Sequence, residues 1–268
     1  MKIAFGTGLF LGGGSGEYTY EIQSISGLES PEVRNGNGLY SGADGGYWVS
    51  QYFGHRTVVI KGFSLTRCAT DMNNMRKYFI DRLPIRYVCP IIIEDFDNNY
   101  WYLEGCITDV KSELNKAYAM EYQITVVCAD PFIYPADNFT DFIPRVETYN
   151  VELNGEMENC FVPQGALYAF PKITITGTYT TPFTITNDST SEFITIDNTA
   201  TEGTDKTVID IKNRAITFNG ETINNLMSID STWFTLEQGN NHMLATSGDP
   251  TNDNGSVSVS YSVGYRGI

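Results

Sequence analysis

The plainest signal in the chain is strict alternation. From Tyr118 to Cys128, the residues Tyr118, Met120, Tyr122, Ile124, Val126 and Cys128 share one face, and Glu121, Gln123 and Thr125 share the other. A strand of that period packs one side on a core and offers the other to water or a partner. Upstream, Tyr47 to Phe53 and Arg56 to Phe63 read as a strand pair around Gly54-His55. Between these regions Met72, Met75, Phe79 and Ile80 recur at helical spacing behind Thr70 or Asp71 as a cap, and Pro84 closes the segment. The spacing predicts one α-helix. Two further strands follow it, Ile85 to Glu94 and Tyr100 to Val110, with turns at Asp97-Asn98-Asn99 and Asn115-Lys116.

The flanks are less regular. Residues 1–46 are rich in glycine, with a short alternating stretch at Tyr18 to Ile25 and turn signals from Pro31 to Asp44-Gly45. After about Phe170 the texture becomes Thr-rich. Ile173 and Ile175, Phe183 and Ile185, and Phe193 to Ile196 mark short strands. Val208 to Ile211 and Ala215 to Phe218 form a hairpin before the turn Asn219-Gly220, and Trp233 to Leu236 and Val257 to Val263 complete the set. That spacing predicts a β-sandwich. The fold class is therefore mainly β. A β-rich N-terminal domain with one helix spans 1–135, a linker spans 136–165, and the sandwich spans 166–268.

Composition agrees. A chain of 268 residues suits two domains of about 130 residues each. Its 17 Tyr, 15 Phe and 25 Gly suit pleated surfaces and the turns between them. The net charge of −15 is uneven, with −4 on residues 1–135 and −11 on residues 136–268. So acidic a chain has no footprint for gripping phosphate backbones or anionic membranes, so neither sequence-specific nucleic-acid binding nor membrane attachment is expected. The acidity serves solubility, or lines a channel to which passing DNA does not stick. Cys68, Cys89, Cys106, Cys128 and Cys160 show neither CxxC nor metal-ligand spacing, which fits a reducing compartment. No secretion signal and no membrane-length apolar run is expected.

Catalytic chemistry is sparse. His55 and His242 are the only histidines, and neither accompanies a nucleophile motif. Gly12-Gly13-Gly14-Ser15-Gly16 matches no phosphate loop. Asp95, Asp97 and Asn99 imitate the start of a calcium loop, yet Tyr100 stands where a glycine is needed and Cys106 replaces the closing glutamate. A hairpin turn explains them. The sequons at Asn138, Asn187 and Asn254 matter only in a secreted chain. No enzyme activity, catalytic residue, cofactor or metal is expected.

Several stretches together resemble one family. "HRTVVIKGF", the helix, "IIIEDFDNNYWYLEGCITDV" and "YQITVVCADPFIY" are similar to the N-terminal domain of siphophage distal tail proteins, as are "SISGLESPEVR" and "SGADGGYW" before them. "PQGALYAFPKITITG", "DIKNRAITFNG", "STWFTLEQGNNHM" and "SVSYSVGYRGI" resemble the C-terminal sandwich of that family. Gln238 departs from it, since a proline commonly precedes the glycine there. The resemblance implies a structural virion protein at the distal end of the tail, assembled in the host bacterial cytoplasm. It implies a homo-hexameric ring of N-terminal belts around a channel for DNA. Galectin-like C-terminal domains would dock tail-tip, baseplate or receptor-binding proteins, with the tail tube on the other side. Members with inserted saccharide-binding modules are longer, so none is expected here. The alternative is a carbohydrate-binding module recognising host cell-wall saccharide through the sandwich. Trp233 and His242 are its candidate contacts, although Trp233 also fits as core filler in a strand.

Overall fold

The computed structural model describes residues 1–13, 18–47, 52–116, 118–155 and 158–268. These form two compact units, one of Met1–Pro144 with Tyr265–Ile268, the other of Arg145–Gly264. The structure is mainly β, with a single α-helix among the described residues.

The first unit is built on β1 (Lys2–Phe5), β2 (Leu9–Leu11), β3 (Glu21–Ser26), β8 (Arg56–Leu65), β9 (Val88–Glu94), β10 (Tyr100–Lys116), β11 (Ala119–Cys128) and β12 (Tyr134–Ala136). Their order is β2-β1-β9-β10-β11-β8-β3, with β12 also pairing β10. Two short ribbons stand apart, β4 (Val33–Arg34) with β7 (Tyr52–Phe53) and β5 (Gly38–Leu39) with β6 (Gly46–Tyr47). The alternation read in β11 is present, with Met120, Tyr122, Ile124, Val126 and Cys128 all buried and Glu121 exposed. Tyr118 departs from it, being exposed just before the strand begins.

Helix α1 (Ala69–Arg82) covers the apolar face of that sheet. Met72, Met75 and Phe79 are buried, and at about 1.5–3 kcal/mol each such burial outweighs the modest cost of an uncapped start. Tyr20 locks the helix, its hydroxyl donating to the Met75 carbonyl at 2.9 Å and its ring lying 5.2 Å from that of Phe79. The expected cap lies elsewhere: Cys68 is the N-cap and makes no side-chain capping bond, while Asp71 sits within the first turn. There its charge favours the positive end of the helix dipole instead. Ile80 is exposed rather than on the packed face.

The N-terminal pairing differs from the expected hairpin at Gly54-His55. Tyr52–Phe53 pairs with Val33–Arg34, and β8 lies between β3 and β11. Gly54 itself donates to the Glu32 carbonyl at 2.6 Å. The physical reason is burial: β8 alternates Val58, Ile60, Gly62 and Ser64 inward, which suits the centre of a sheet and not an isolated ribbon. The middle of the expected strand at Tyr47 to Phe53, and residues Gly14 to Gly16 of the glycine run, lie outside the described residues. β9 starts only at Val88, because Arg86 adopts φ 82° and breaks the extended run. β10 runs past Val110 to Lys116, since its polar second half is carried by pairing with β11 and not by apolar positions of its own.

The second unit contains two sheets. One has the order β13 (Glu147–Glu152), β22 (Asn254–Tyr261), β15 (Lys172–Thr178), β18 (Lys206–Asp210), β19 (Ala215–Phe218), β20 (Glu221–Thr222). The other has the order β14 (Glu158–Val162), β21 (Gly239–Thr246), β16 (Phe183–Asn187), β17 (Glu192–Ile196). Each turns an apolar face inward, Ile173, Ile175 and Val259 from the first, Phe183, Ile185 and Ile194 from the second, all fully buried. Asn219 (φ 49°) and Gly220 (φ 91°) make the expected tight turn after β19. Two strands, β13 and β14, fall in the stretch read as a linker. Trp233 to Leu236 is no strand; Leu236 makes only an isolated bridge to Ala169. The strand lies just beyond, as β21.

Candidate assembly surfaces

In unit 1, β11 is flanked by β10 and β8 along its length, so neither of its edges is free to receive a neighbour. What it offers is its outward face. Register places Glu113 opposite Glu121, Glu121 opposite Phe63, and Phe63 opposite Glu21. Three carboxylates thus share one row with an exposed aromatic ring. Like charges facing each other across strands are destabilising, and among the described residues neither Glu113 nor Glu121 has an ion pair. The next row holds Lys61, Gln123 and Lys111, and Lys111 Nζ lies 3.7 Å from Asp109 Oδ2. A shallow hollow of about 230 Å³ runs between these rows beside Gly62 and Tyr122.

At the end of the sheet order, β3 pairs only with β8. A groove of about 420 Å³ lies along it, lined by Met1, Ile22, Ile25, Leu28, Phe96 and Ile268 among others.

Two polar arrangements hold this unit in shape. Arg56, 1% exposed, donates through Nε to the Pro131 carbonyl at 2.8 Å, through Nη1 to the Gly27 carbonyl at 2.6 Å, and through Nη2 to the Arg266 carbonyl. Burial pushes this guanidinium below its ordinary value, against the pull of Cys128, Glu29 and Asp130, yet it stays a cation. Asp95, the head of the imitation calcium loop, accepts from Asp97 N, Asn99 N, Asn99 Nδ2 and Trp101 Nε1 at 2.8–3.1 Å. Burial opposes ionisation there, but those donors, Trp101 foremost, hold the carboxyl below its usual range. Its oxygens serve the hairpin turn.

In unit 2, Trp233 is half-buried in an extended segment that Thr232 N ties to the Phe193 carbonyl at 2.8 Å. His242 is exposed on β21, where its own N–H donates to Ser189 Oγ at 3.0 Å. Trp233 thus runs beside β17, and β16 separates β17 from β21, so the structure does not seat the two residues on neighbouring strands. His55 is exposed as well. Among the described residues, no group of three or more His, Cys, Asp or Glu side chains could hold a metal ion. Among the described residues no helix is long and apolar enough to cross a membrane.

The acidic row was the surface feature that sequence reasoning missed. Its signal was present only as scattered glutamates, because register, not spacing along the chain, brings Glu21, Glu113 and Glu121 together.

The chain thus joins an antiparallel sheet under one helix to a two-sheet sandwich. Residues 164–265 match the family described as siphovirus-type tail component, C-terminal domain. Among solved structures the chain is similar to the Dit protein (gp 19.1) of SPP1, described as a paradigm of hub adsorption apparatus in phages infecting Gram-positive bacteria. That match has a TM-score of 0.73 at 17% identity and covers 97% of this chain and 98% of that one. A chain of the phage P2 baseplate in its activated conformation with Ca matches at a TM-score of 0.46 and 13% identity, covering 97% of this chain and 96% of the other. No curated protein matches the sequence. Residues 164–265 thus carry the siphovirus-type tail component C-terminal domain, and the fold of the chain as a whole is similar to that of the Dit protein.

Proposed function

We propose that this chain is the hub subunit of its tail, without enzymatic activity. Six copies close a ring through their N-terminal units, coaxial with the tail tube, and leave a channel through which DNA passes. The sandwiches dock tail-tip, baseplate or receptor-binding proteins, and assembly takes place in the host cytoplasm. The observation that carries this reading is the likeness to a hub protein along both units in the same order, over 97% of the chain. An overall charge of −15 is compatible with a wall past which DNA slides. The sugar-binding alternative has Trp233 and His242 as candidate contacts, which β16 keeps on different parts of the sheet. Gold-labelled antibody against the chain, applied to particles of the phage that encodes it, is expected to mark the distal tail end. Label on the capsid or along the shaft would overturn the proposal.

A further inference from the structure

Closing a ring from identical subunits requires two different surfaces on each copy that fit each other, because a self-matching patch would stop at a pair. Unit 1 carries two such surfaces. The first is the acidic row of Glu21, Glu113 and Glu121, with Phe63 and Leu65 exposed beside it, Leu65 at 65%. The second lies where α1 passes into β9. There Ile85, Tyr87 and Val88 are exposed, Tyr87 at 73% and Val88 at 59%, although a soluble surface gains nothing from a large apolar cluster. Around them residues 76–86 hold Arg76, Lys77, Arg82 and Arg86 against the single carboxylate Asp81, in a chain whose net charge is −15. Arg76 is engaged by Ser112, and Arg82 by the Thr7 carbonyl and the Tyr78 ring, which leaves Lys77 and Arg86 as the cations to offer. Arg86 is presented from a backbone at φ 82°, a conformation costly for a residue with a side chain.

The two surfaces meet the sheet at different points along β10. Val88 faces Cys106 across β9 and β10, and Glu121 faces Glu113 across β11 and β10. Seven residues of β10 separate Cys106 from Glu113, or about 23 Å at about 3.3 Å per residue. Each surface combines exposed apolar side chains with a charged group, the row of three carboxylates, flanked by Lys61 and Lys111, on the first and Lys77 with Arg86 on the second. That is the anatomy of an apolar centre inside a polar rim, divided between two surfaces of one unit. We infer that the contact between neighbouring subunits seats the Ile85–Val88 surface of one copy, with Lys77 and Arg86, on the Phe63–Leu65 surface of a second copy, with Glu113 and Glu121. This rests on the ring reading and names its contact.

The test uses the full chain and two charge-reversed variants, Glu113→Lys with Glu121→Lys, and Lys77→Glu with Arg86→Glu. All four positions lie outside the core, so unchanged melting serves as the check on folding. Masses are measured by light scattering after gel filtration at a concentration where the wild-type protein forms rings. Each variant alone is expected to stop at the mass of a single subunit. Mixed in equal amounts, they offer intact surface to intact surface and reversed surface to reversed surface, with opposite charges at both, so rings of alternating variants are expected to return; a mixture that stays at single subunits would count against the charge pairing. Rings formed by either variant as readily as by the wild type would overturn the contact while leaving the ring reading intact. A wild-type chain that forms no rings at any concentration, with or without tail partners, would overturn both.

Discussion

The Nη1 of Arg56 reaches the carbonyl of Gly27 at 2.6 Å from a side chain that is 1% exposed. The same guanidinium also serves Pro131 and Arg266, so one cation gathers the turn after β3, the exit of β11 and the segment 265–268. Arg56→Met would leave three carbonyls without this donor. The expected loss is about 3–5 kcal/mol, the usual result of breaking a buried charged arrangement. Arg56→Lys should fall between, since a single ammonium cannot reach three diverging acceptors as a planar fork does. Urea unfolding monitored by near-UV circular dichroism checks both; a midpoint unmoved in Arg56→Met would refute the clamp.

Gly62 makes room for a neighbouring side chain. A Cβ built there would stand 2.1 Å from the Glu21 carbonyl oxygen and 2.3 Å from the Tyr122 hydroxyl oxygen, and that hydroxyl donates to the same carbonyl at 2.9 Å. Gly62→Ala must therefore push β3 away from β8 or evict Tyr122. A loss of about 1–3 kcal/mol is expected, in line with overpacked cores, read as a lower melting temperature. A variant as stable as the parent would mean that β3 yields freely.

Asn241 is a polar residue in an apolar position. It is 1% exposed, accepts from Asn187 Nδ2 at 3.1 Å and Glu237 N at 3.0 Å, and donates to the carbonyls of Cys160 and Glu237 at 3.2 and 2.8 Å. Asn241→Leu would fill similar space and leave all four partners unsatisfied. A cost of about 2–4 kcal/mol to the second unit is expected, measured by thermal unfolding of the full chain.

Acid should weaken the second unit by a definable route. Asn219, with the Glu202 amide, holds Asp205 below the usual carboxylate range. Burial works against ionisation of Asp253, but Ser247 and Thr180 overcome it and lower that group as well. A carboxylate with a depressed folded value contributes its stability above the unfolded value of about 3.9, and loses it as pH falls through the folded one. Unfolding midpoints should thus be steady down to about pH 4 and decline below it. The Asp205→Asn, Asp253→Asn pair should start lower and decline less steeply. An equal slope in both proteins would contradict these assignments.

How much of this was legible in the sequence depended on whether a side chain's role lay in its own neighbourhood. β11 and α1 were legible because Met120 to Cys128 and Met72 to Phe79 are apolar at the periods of strand and helix. β21 was not, because one of its three buried positions is Asn241, made compatible with the interior by partners on other strands. The second half of β10 was hidden for a similar reason, its polar residues being held in a strand by β11. Arg56 read as the polar start of a strand; only the fold brings Gly27, Pro131 and Arg266 around it. The acidic row belongs to the same category, assembled by register and invisible to spacing. Trp233 and His242 were chosen by residue type alone, and the fold sets Trp233 in an extended segment beside β17 and His242 on β21.

The most direct test of the account is to purify the full chain, determine its mass and image it in negative stain, alone and mixed with tail-tube and tip proteins. The account expects six-fold rings around an open channel, with a mass six times that of the 29.9 kDa chain. A particle that remains a single 29.9 kDa subunit under every one of these conditions would contradict it.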